Sequence, residues 1–340
     1  MMLNVVYYDC NFKPVNLRLV DPPFGLQLVT LILELDYLRK KPLGGTTHPL
    51  IFFQLKNIFH LLESIGSARI EENQTTLAEC IEGKIEGSKN PGDYRKTNVV
   101  IGSSSHTPPD ASTVPSYMEE LFNFINKANP PQYDLLKVAI VHHQFVWIHP
   151  FDNGNGKVVR LLTYIMLIKY GFRVHIGGRI INPTAVFCNN RENYYRYLSL
   201  ADDGSDESLL LWCEYVLNGL KNEISKIDKL LDYEFLAKNI LFPAIDFALE
   251  REYITEKECK ILQVAVKKQV IQAADVKRVL PDKIPAEISR NIRRLIDKKM
   301  LQAEKDSSRK YVIRFENNYL LRGIVEMLDK ESFLPIPINK

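Results

Sequence analysis

Apolar residues recur at helical spacing over residues 27–62, interrupted at 39–45 by a turn of Lys, Pro and Gly, and this pattern predicts two N-terminal helices. Residues 86–115 change character. Gly, Ser, Asn and Pro punctuate them, and the short run Asn98, Val99, Val100, Ile101 predicts a hairpin or an ordered loop between helices. Helical spacing resumes at Pro115 and continues through 134–148, where Leu135, Leu136, Val138, Ala139 and Val141 form an apolar stripe that a helix would bury. A break at 149–156 precedes 158–170, almost wholly apolar and, at thirteen residues, too short to span a bilayer, so it reads as the central core helix. Residues 209–223 and 226–247 read as further helices. The last segment reads helix (256–268), short helix (273–280), helix (285–299), then strand-like runs at 300–302 and 310–315 around a polar turn. A mainly α chain is expected, with a small α+β domain near its end.

At 340 residues, 46% hydrophobic and 25% charged, the composition excludes disorder, collagen and coiled coil and leaves room for about two domains. Cys10, Cys80, Cys188, Cys213 and Cys259 lie far apart with no CxxC pair, which suits a reducing, cytoplasmic setting. Neither a signal peptide nor a membrane span is expected, because no basic segment precedes an apolar one at the start and Glu34 and Asp36 break the stretch 26–38. The net charge of +3 is small, but its distribution is uneven. Residues 255–315 hold 16 Lys plus Arg against 8 Asp plus Glu, whereas the remaining chain holds 28 against 33.

The segment richest in chemistry is His149-Pro150-Phe151-Asp152-Asn153-Gly154-Asn155-Gly156-Lys157-Val158-Val159-Arg160, between two apolar helices. Gly154, Asn155 and Gly156 free the backbone to turn its N–H groups into one concavity at the start of the following helix, an anion site suited to phosphate. Lys157 and Arg160 stand at i, i+3 in that first turn, where cations oppose the helix dipole by roughly 0.3–1 kcal/mol each. A sequence that accepts this cost holds a polyanion there. His149 ends the preceding helix, and its imidazole can take a proton from an attacking hydroxyl at neutral pH. A base beside a phosphate cradle describes phosphoryl or nucleotidyl transfer; the plainer alternative is a histidine that stabilises a helix C-terminus or packs on Phe151 and Trp147.

This dodecapeptide resembles the Fic motif, His-x-Phe-x-Asp/Glu-Gly-Asn-Gly-(Arg/Lys)-x-x-Arg. The resemblance runs from about residue 65 to 219. It includes Tyr94-Arg95 to Gly102 with Pro108-Pro109, similar to the family's flap hairpin, and Asn190-Arg191-x-x-Tyr194-Tyr195 downstream. It implies a Fic-type helical core with a β-hairpin flap (94–109) that transfers AMP from ATP, with Mg²⁺ or Mn²⁺, to a hydroxyl of a target protein or of itself. His149 would be the general base. The N–H groups of Gly154, Asn155 and Gly156 would hold the α and β phosphates, with Val158 and Val159 in the same turn, and Lys157 and Arg160 would contact the β and γ phosphates. Phe151 would anchor the loop, and Tyr194 and Tyr195 would flank the adenine unless they are core or rim aromatics.

Two positions depart from the family pattern. Asn153 stands where the family has a metal-binding carboxylate, so metal affinity should fall unless Asp152 replaces it by a shift of the loop. Lys157 replaces an arginine and loses its bidentate fork. Upstream, Ser67-Ala68-Arg69-Ile70-Glu71-Glu72 resembles the autoinhibitory motif Ser/Thr-x-x-x-Glu-Gly/Asn, with Glu72 at its last position. Ser67 and Glu71 would then be inhibitory, Glu71 pairing with Arg160 where the γ-phosphate must sit. The run 98–101 offers a strand edge to which an extended target could pair, presenting its hydroxyl to His149, or forms an ordinary surface hairpin.

Near the end, three helices and two strands resemble a winged helix-turn-helix domain. Arg290, Arg293, Arg294 and Lys298 form a basic stripe on its third helix, with Lys305, Arg309 and Lys310 on the wing, so residues 255–315 would bind DNA or use the same fold for protein contacts. The expected organisation is an N-terminal helical region (1–64), a Fic core (65–220) with inhibitory segment (67–72), flap and active-site loop (149–160), a helical linker (221–250), a winged-helix domain (251–325) and a tail (326–340). Expected partners are ATP, a target protein at the flap, DNA and a second copy of the chain, without a membrane. Two other functions fit the same residues: a DNA-binding regulator whose Fic core senses nucleotide with weak or no catalysis, and a hydrolase that removes AMP from a modified protein.

Overall fold

The computed structural model describes residues 13–40, 44–70, 92–101, 106–172, 186–187, 190–305 and 309–334, with helix backbone alone at 60–70. It is mostly helical. Chain order runs α1 (Gln27–Lys40), α2 (Pro49–Ile70), α3 (Val114–Asn126), α4 (Asp134–Ile148), α5 (Asn155–Lys169), α6 (Arg191–Ala201) and α7 (Asp206–Leu231). There follow α8 (Tyr233–Leu236), a π-helical turn (Ala237–Leu241), α9 (Phe242–Glu250), α10 (Glu256–Lys268), α11 (Ala273–Val279) and α12 (Pro285–Asp297). The chain ends with β1 (Leu301–Ala303), β2 (Tyr311–Ile313) and α13 (Asn318–Lys330). It forms two compact units, residues 1–42 with 63–224 and residues 43–62 with 225–340.

In the first unit α4 is buried on nearly every side, its polar Asp134, Lys137, His142, His143 and Gln144 included, and packs against α3 and α5. Trp212 of α7 is fully buried and its indole N–H donates to the Ala139 carbonyl at 2.7 Å. Helix starts follow local chemistry: Pro115 sits in the first turn of α3, and the Asn190 side chain accepts from the Asn193 N–H at the start of α6. Residues 158–170 are less central than their composition predicts. Val158, Leu161 and Ile165, at i, i+3 and i+7, are exposed, while Val159, Met166 and Leu167 enter the core.

The second unit begins α10 with a capping box between Thr255 and Glu258. Strands β1 and β2 pair antiparallel, Leu301 with Ile313 and Ala303 with Tyr311, and Ile271 bridges to Tyr311. Gly323 of α13 lies so close to α9 that a Cβ there would meet the Ala244 carbonyl oxygen at 2.7 Å.

Three expectations change. Residues 206–231 form one helix where the pattern suggested a break near 224, because neither Gly nor Pro occurs from 220 to 231 and Ile224 is buried; the chain breaks at Asp232, whose carboxylate caps α8. Helices α6 and α13 add to those predicted. Residues 92–101 and 106–110 carry neither helix nor strand, and among the described residues β1–β2 is the only sheet. The expected flap hairpin is therefore not formed by them, and 102–105 lie outside the described residues. Side chains hold this segment instead: the Asn98 amide donates to Asp110 at 2.9 Å and its oxygen accepts from the Ala111 N–H at 2.8 Å.

Candidate active site

Helix α4 stops at Ile148 because His149 adopts the left-handed conformation, φ 50° and ψ 61°, with its N–H still donating to the Phe145 carbonyl. That conformation costs a non-glycine residue about 1–2 kcal/mol. Arg95, 2% exposed, supplies compensation. Its Nε donates to the His149 carbonyl at 2.9 Å, other guanidinium nitrogens reach the Thr97, Ile148 and Pro109 carbonyls, and its own N–H donates to the Pro150 carbonyl. A cation thus sits on the negative end of α4 and ties 95–97 and 109 to the turn at His149.

The next turn is closed by Asn155. Its Oδ1 accepts from the Phe151 N–H at 2.9 Å and its Nδ2 donates to the Phe151 carbonyl at 2.7 Å, while the Phe151 ring packs on Tyr94 and Phe145. Gly154, φ 76° and ψ 8°, precedes α5, whose first N–H groups have no acceptor within the helix. No atom lies within 4 Å of a Cβ built on Gly154, so Gly154→Ala should cost only backbone strain, about 1 kcal/mol. Denaturant titration checks this: a modest shift of the midpoint with an unchanged slope is the expected result.

Both turns open into one cleft of about 760 Å³, including its mouth. His149, Asn155, Gly156 and Arg160 form one wall; Trp147, Tyr194, Tyr195 and Ile101 contribute to the remainder. The lining also carries a carboxylate between two histidines: Asp202 accepts from His143 Nε2 at 3.0 Å and lies 3.7 Å from His106 Nδ1, while His106 Nε2 meets the Trp147 carbonyl at 2.9 Å. The cleft lining therefore holds both a guanidinium, Arg160, and a carboxylate, Asp202.

Among the described residues, His149 Nδ1 is buried with no hydrogen-bond partner of good geometry. Burial, with the nearby charges of Arg95 and His106, lowers its pKa to about 4 against an opposing effect of the Val146 carbonyl, so the imidazole is neutral at pH 7.

The structure brings His149, Asn155, Gly156, Arg160, Tyr194 and Tyr195 together, and Gly154 shapes the turn beside them. It separates others. Lys157 is exposed whereas Arg160 is only 4% exposed, so the two do not share one environment despite their spacing. Val159 is a core side chain, leaving only its backbone for a ligand, and Val158 points to solvent. Tyr194, 4% exposed, belongs to the aromatic core, and Tyr195, 38% exposed beneath the Arg191 guanidinium, to the rim. Asp152 and Asn153 are both exposed. Ser67 lies in the last turn of α2, and Glu71 and Glu72 fall outside the described residues.

Residues 69–167 match the family model described as Fic/DOC family. The chain carries a Fic/DOC domain. That domain ends within α5, so it contains the whole turn from His149 to Arg160. Over 216 residues the chain is 27% identical to a "probable protein adenylyltransferase" of Aquifex aeolicus, covering 62% of this chain and 61% of that protein. Over 150 residues it is 29% identical to a protein adenylyltransferase Fic of Nematostella vectensis, covering 42% and 33%. A solved Fic domain-containing signaling protein of Bacteroides thetaiotaomicron is similar at 16% identity and TM-score 0.42, over 60% of this chain and 95% of that one. The chain spans about three fifths or less of these two curated relatives' length. No described helix is long and apolar enough to cross a membrane.

His106, His143 and Asp202 were not legible as cleft residues, since His106 and Asp202 are remote in sequence from the loop and none of the three belongs to a spaced motif. The pairing of an arginine with helix-terminal carbonyls leaves no sequence periodicity.

Proposed function

We propose that the Fic/DOC domain is a protein adenylyltransferase, moving AMP from ATP to a side-chain hydroxyl of a target protein or of this chain. The observation that carries this reading is the single cleft in which a neutral imidazole at the end of α4 faces the N-terminal turn of α5 and the buried Arg160. With Nδ1 buried, His149 Nε2 is the nitrogen that takes the proton as the hydroxyl oxygen bonds to the α-phosphorus and the bond to the bridging oxygen breaks, releasing pyrophosphate. The N–H groups of the α5 turn, Lys157 and Arg160 hold the polyphosphate. Relatives named protein adenylyltransferases support the reading.

A divalent cation fits this loop as a companion of the phosphates rather than as a resident ion. Among the described residues no cluster of three His, Cys, Asp or Glu could hold a metal, and the donors near the turn are the exposed Asp152 carboxylate and Asn153 amide. Those two residues would hold it, and it would neutralise charge on the transferring nucleotide. Glu71 is proposed as an internal inhibitor on the strength of its motif.

A second reading concerns the other unit. Arg290 and Arg293 on α12 and Arg309 beside β2 are exposed, which favours a winged helix that binds duplex DNA. Lys298 and Arg294 are committed differently: Lys298 Nζ lies 2.6 Å and Arg294 Nε 3.5 Å from the buried Glu258 carboxylate. Arg290→Ala/Arg293→Ala should therefore weaken duplex binding and reduce its salt slope by about one per lost phosphate contact, whereas Lys298→Ala should mainly destabilise the fold. Mobility on mixed duplex DNA at several salt concentrations checks this, and salt-insensitive mobility would contradict it.

A further inference from the structure

We infer that His142 is a positioning residue whose Nδ1–H sets the register between the helix that ends at His149 and the helix that opens the phosphate turn; what that register serves rests on the function proposed above. His142 lies on α4 seven residues, about two turns, before His149, the residue that ends the helix. His142, 1% exposed, is closed in by Phe187, with ring centroids 4.1 Å apart, and by Trp212 at 5.7 Å.

Its hydrogen bonds fix its tautomer. Thr163 Oγ1 donates its one proton to the Val159 carbonyl at 2.8 Å, so it can only accept from His142 Nδ1, also at 2.8 Å. The ring therefore carries Nδ1–H. Nε2 then accepts from the Tyr194 hydroxyl at 3.1 Å. Burial, and next the Arg160 and His143 charges, hold the pKa well below 6.5 and keep the ring neutral. One imidazole thereby joins α4, α5 and α6, three helices that wall the cleft. The bond chain ends at Val159, the residue before Arg160. A slip of one residue between α4 and α5 would displace His149 along the axis by about 1.5 Å relative to the Asn155 turn, on the scale at which misplacement costs about a hundredfold in rate.

A histidine that only fills space would tolerate any amide of similar volume. The proposed role distinguishes two, because an asparagine amide nitrogen occupies the place of Nδ1 and a glutamine amide nitrogen that of Nε2. The test is ¹⁵N imidazole NMR on the full chain without nucleotide, for wild type, His142→Asn and His142→Gln, with melting temperatures measured in parallel. Expected are a neutral Nδ1–H signature for His142, a His149 titration near 4 in wild type and Asn, and its rise toward 6.5 in Gln. An Nε2–H signature, or equal behaviour of His149 in both variants, would overturn the inference. Should Gln fail to fold, Thr163→Val removes the acceptor at constant shape and should raise the His149 titration likewise; an unmoved titration overturns the inference. Absence of ATP binding in a wild type with the expected spectra would contradict the proposed function and leave the positioning role standing.

Discussion

His149→Ala should abolish AMP transfer, lowering kcat by a factor on the order of 10²–10⁴, while ATP affinity changes little. The two effects separate because the groups proposed to hold the phosphates are backbone N–H groups of the α5 turn, Lys157 and Arg160, none of which the substitution touches. The pH profile provides an independent check. Since burial holds His149 near 4, the free protein keeps the basic form through neutrality, so the acid limb of kcat/KM should fall well below pH 6.5. The stability sign follows from the same shift. The folded-state pKa lies below the unfolded value, so the contribution of neutral His149 is fully present above pH 6.5 and is lost as pH falls toward 4. An acid limb at 6.5, or transfer retained in His149→Ala, would assign the proton to another group.

Asn155→Ala should lose nearly as much activity by a different route. The Asn155 amide makes both hydrogen bonds that close the turn on Phe151, and it is buried. Removing it leaves the Phe151 N–H and carbonyl without their partner, at roughly 1–3 kcal/mol for each group that water does not reach. The turn then relaxes, the N–H groups before α5 diverge, and both ATP affinity and rate should fall by at least about tenfold and a hundredfold respectively. Asn155→Asp sharpens the comparison. It retains an acceptor for Phe151 N–H, loses the donor, and places a negative charge beside the phosphate turn, so nucleotide affinity should drop further than stability does. Calorimetric titration with ATP alongside thermal melts measures both; unchanged affinity in Asn155→Ala would show that the turn is held by other contacts.

Much of this site was readable from the chain alone, and the reason is that the turn depends on local residues. His149 at a helix end, Gly154 where φ must be positive and Asn155-Gly156 at a helix start all act within twelve residues, and the structure gathers His149, Asn155, Gly156 and Arg160 into one cleft. What the sequence could not convey is side-chain depth. Lys157 and Arg160 have the same spacing on paper, yet one is exposed and the other buried beside His142. Likewise Asn155 reads as a backbone donor to phosphate, whereas its amide locks the turn on Phe151. The clamp of Arg95 on α4 and the His106–Asp202–His143 wall join residues up to about a hundred positions apart, which no periodicity records. On the basic stripe, Glu258 lies forty residues before Lys298 and takes it out of the exposed set. In the fold, the apolar run 158–170 looked central because composition does not show which neighbours are missing on one side.

The most direct test of catalysis at this turn is intact-mass spectrometry of wild type, Glu71→Gly and Glu71→Gly/His149→Ala after incubation with ATP and Mg²⁺ or Mn²⁺, with a screen for AMP on added protein. The predicted result is an AMP adduct that is strongest in Glu71→Gly and absent when His149 is also removed. An adduct that persists without His149 would contradict the assignment of the base. ATP that binds but is never transferred in any of the three forms, to this chain or to added protein, would contradict catalysis and point to nucleotide sensing.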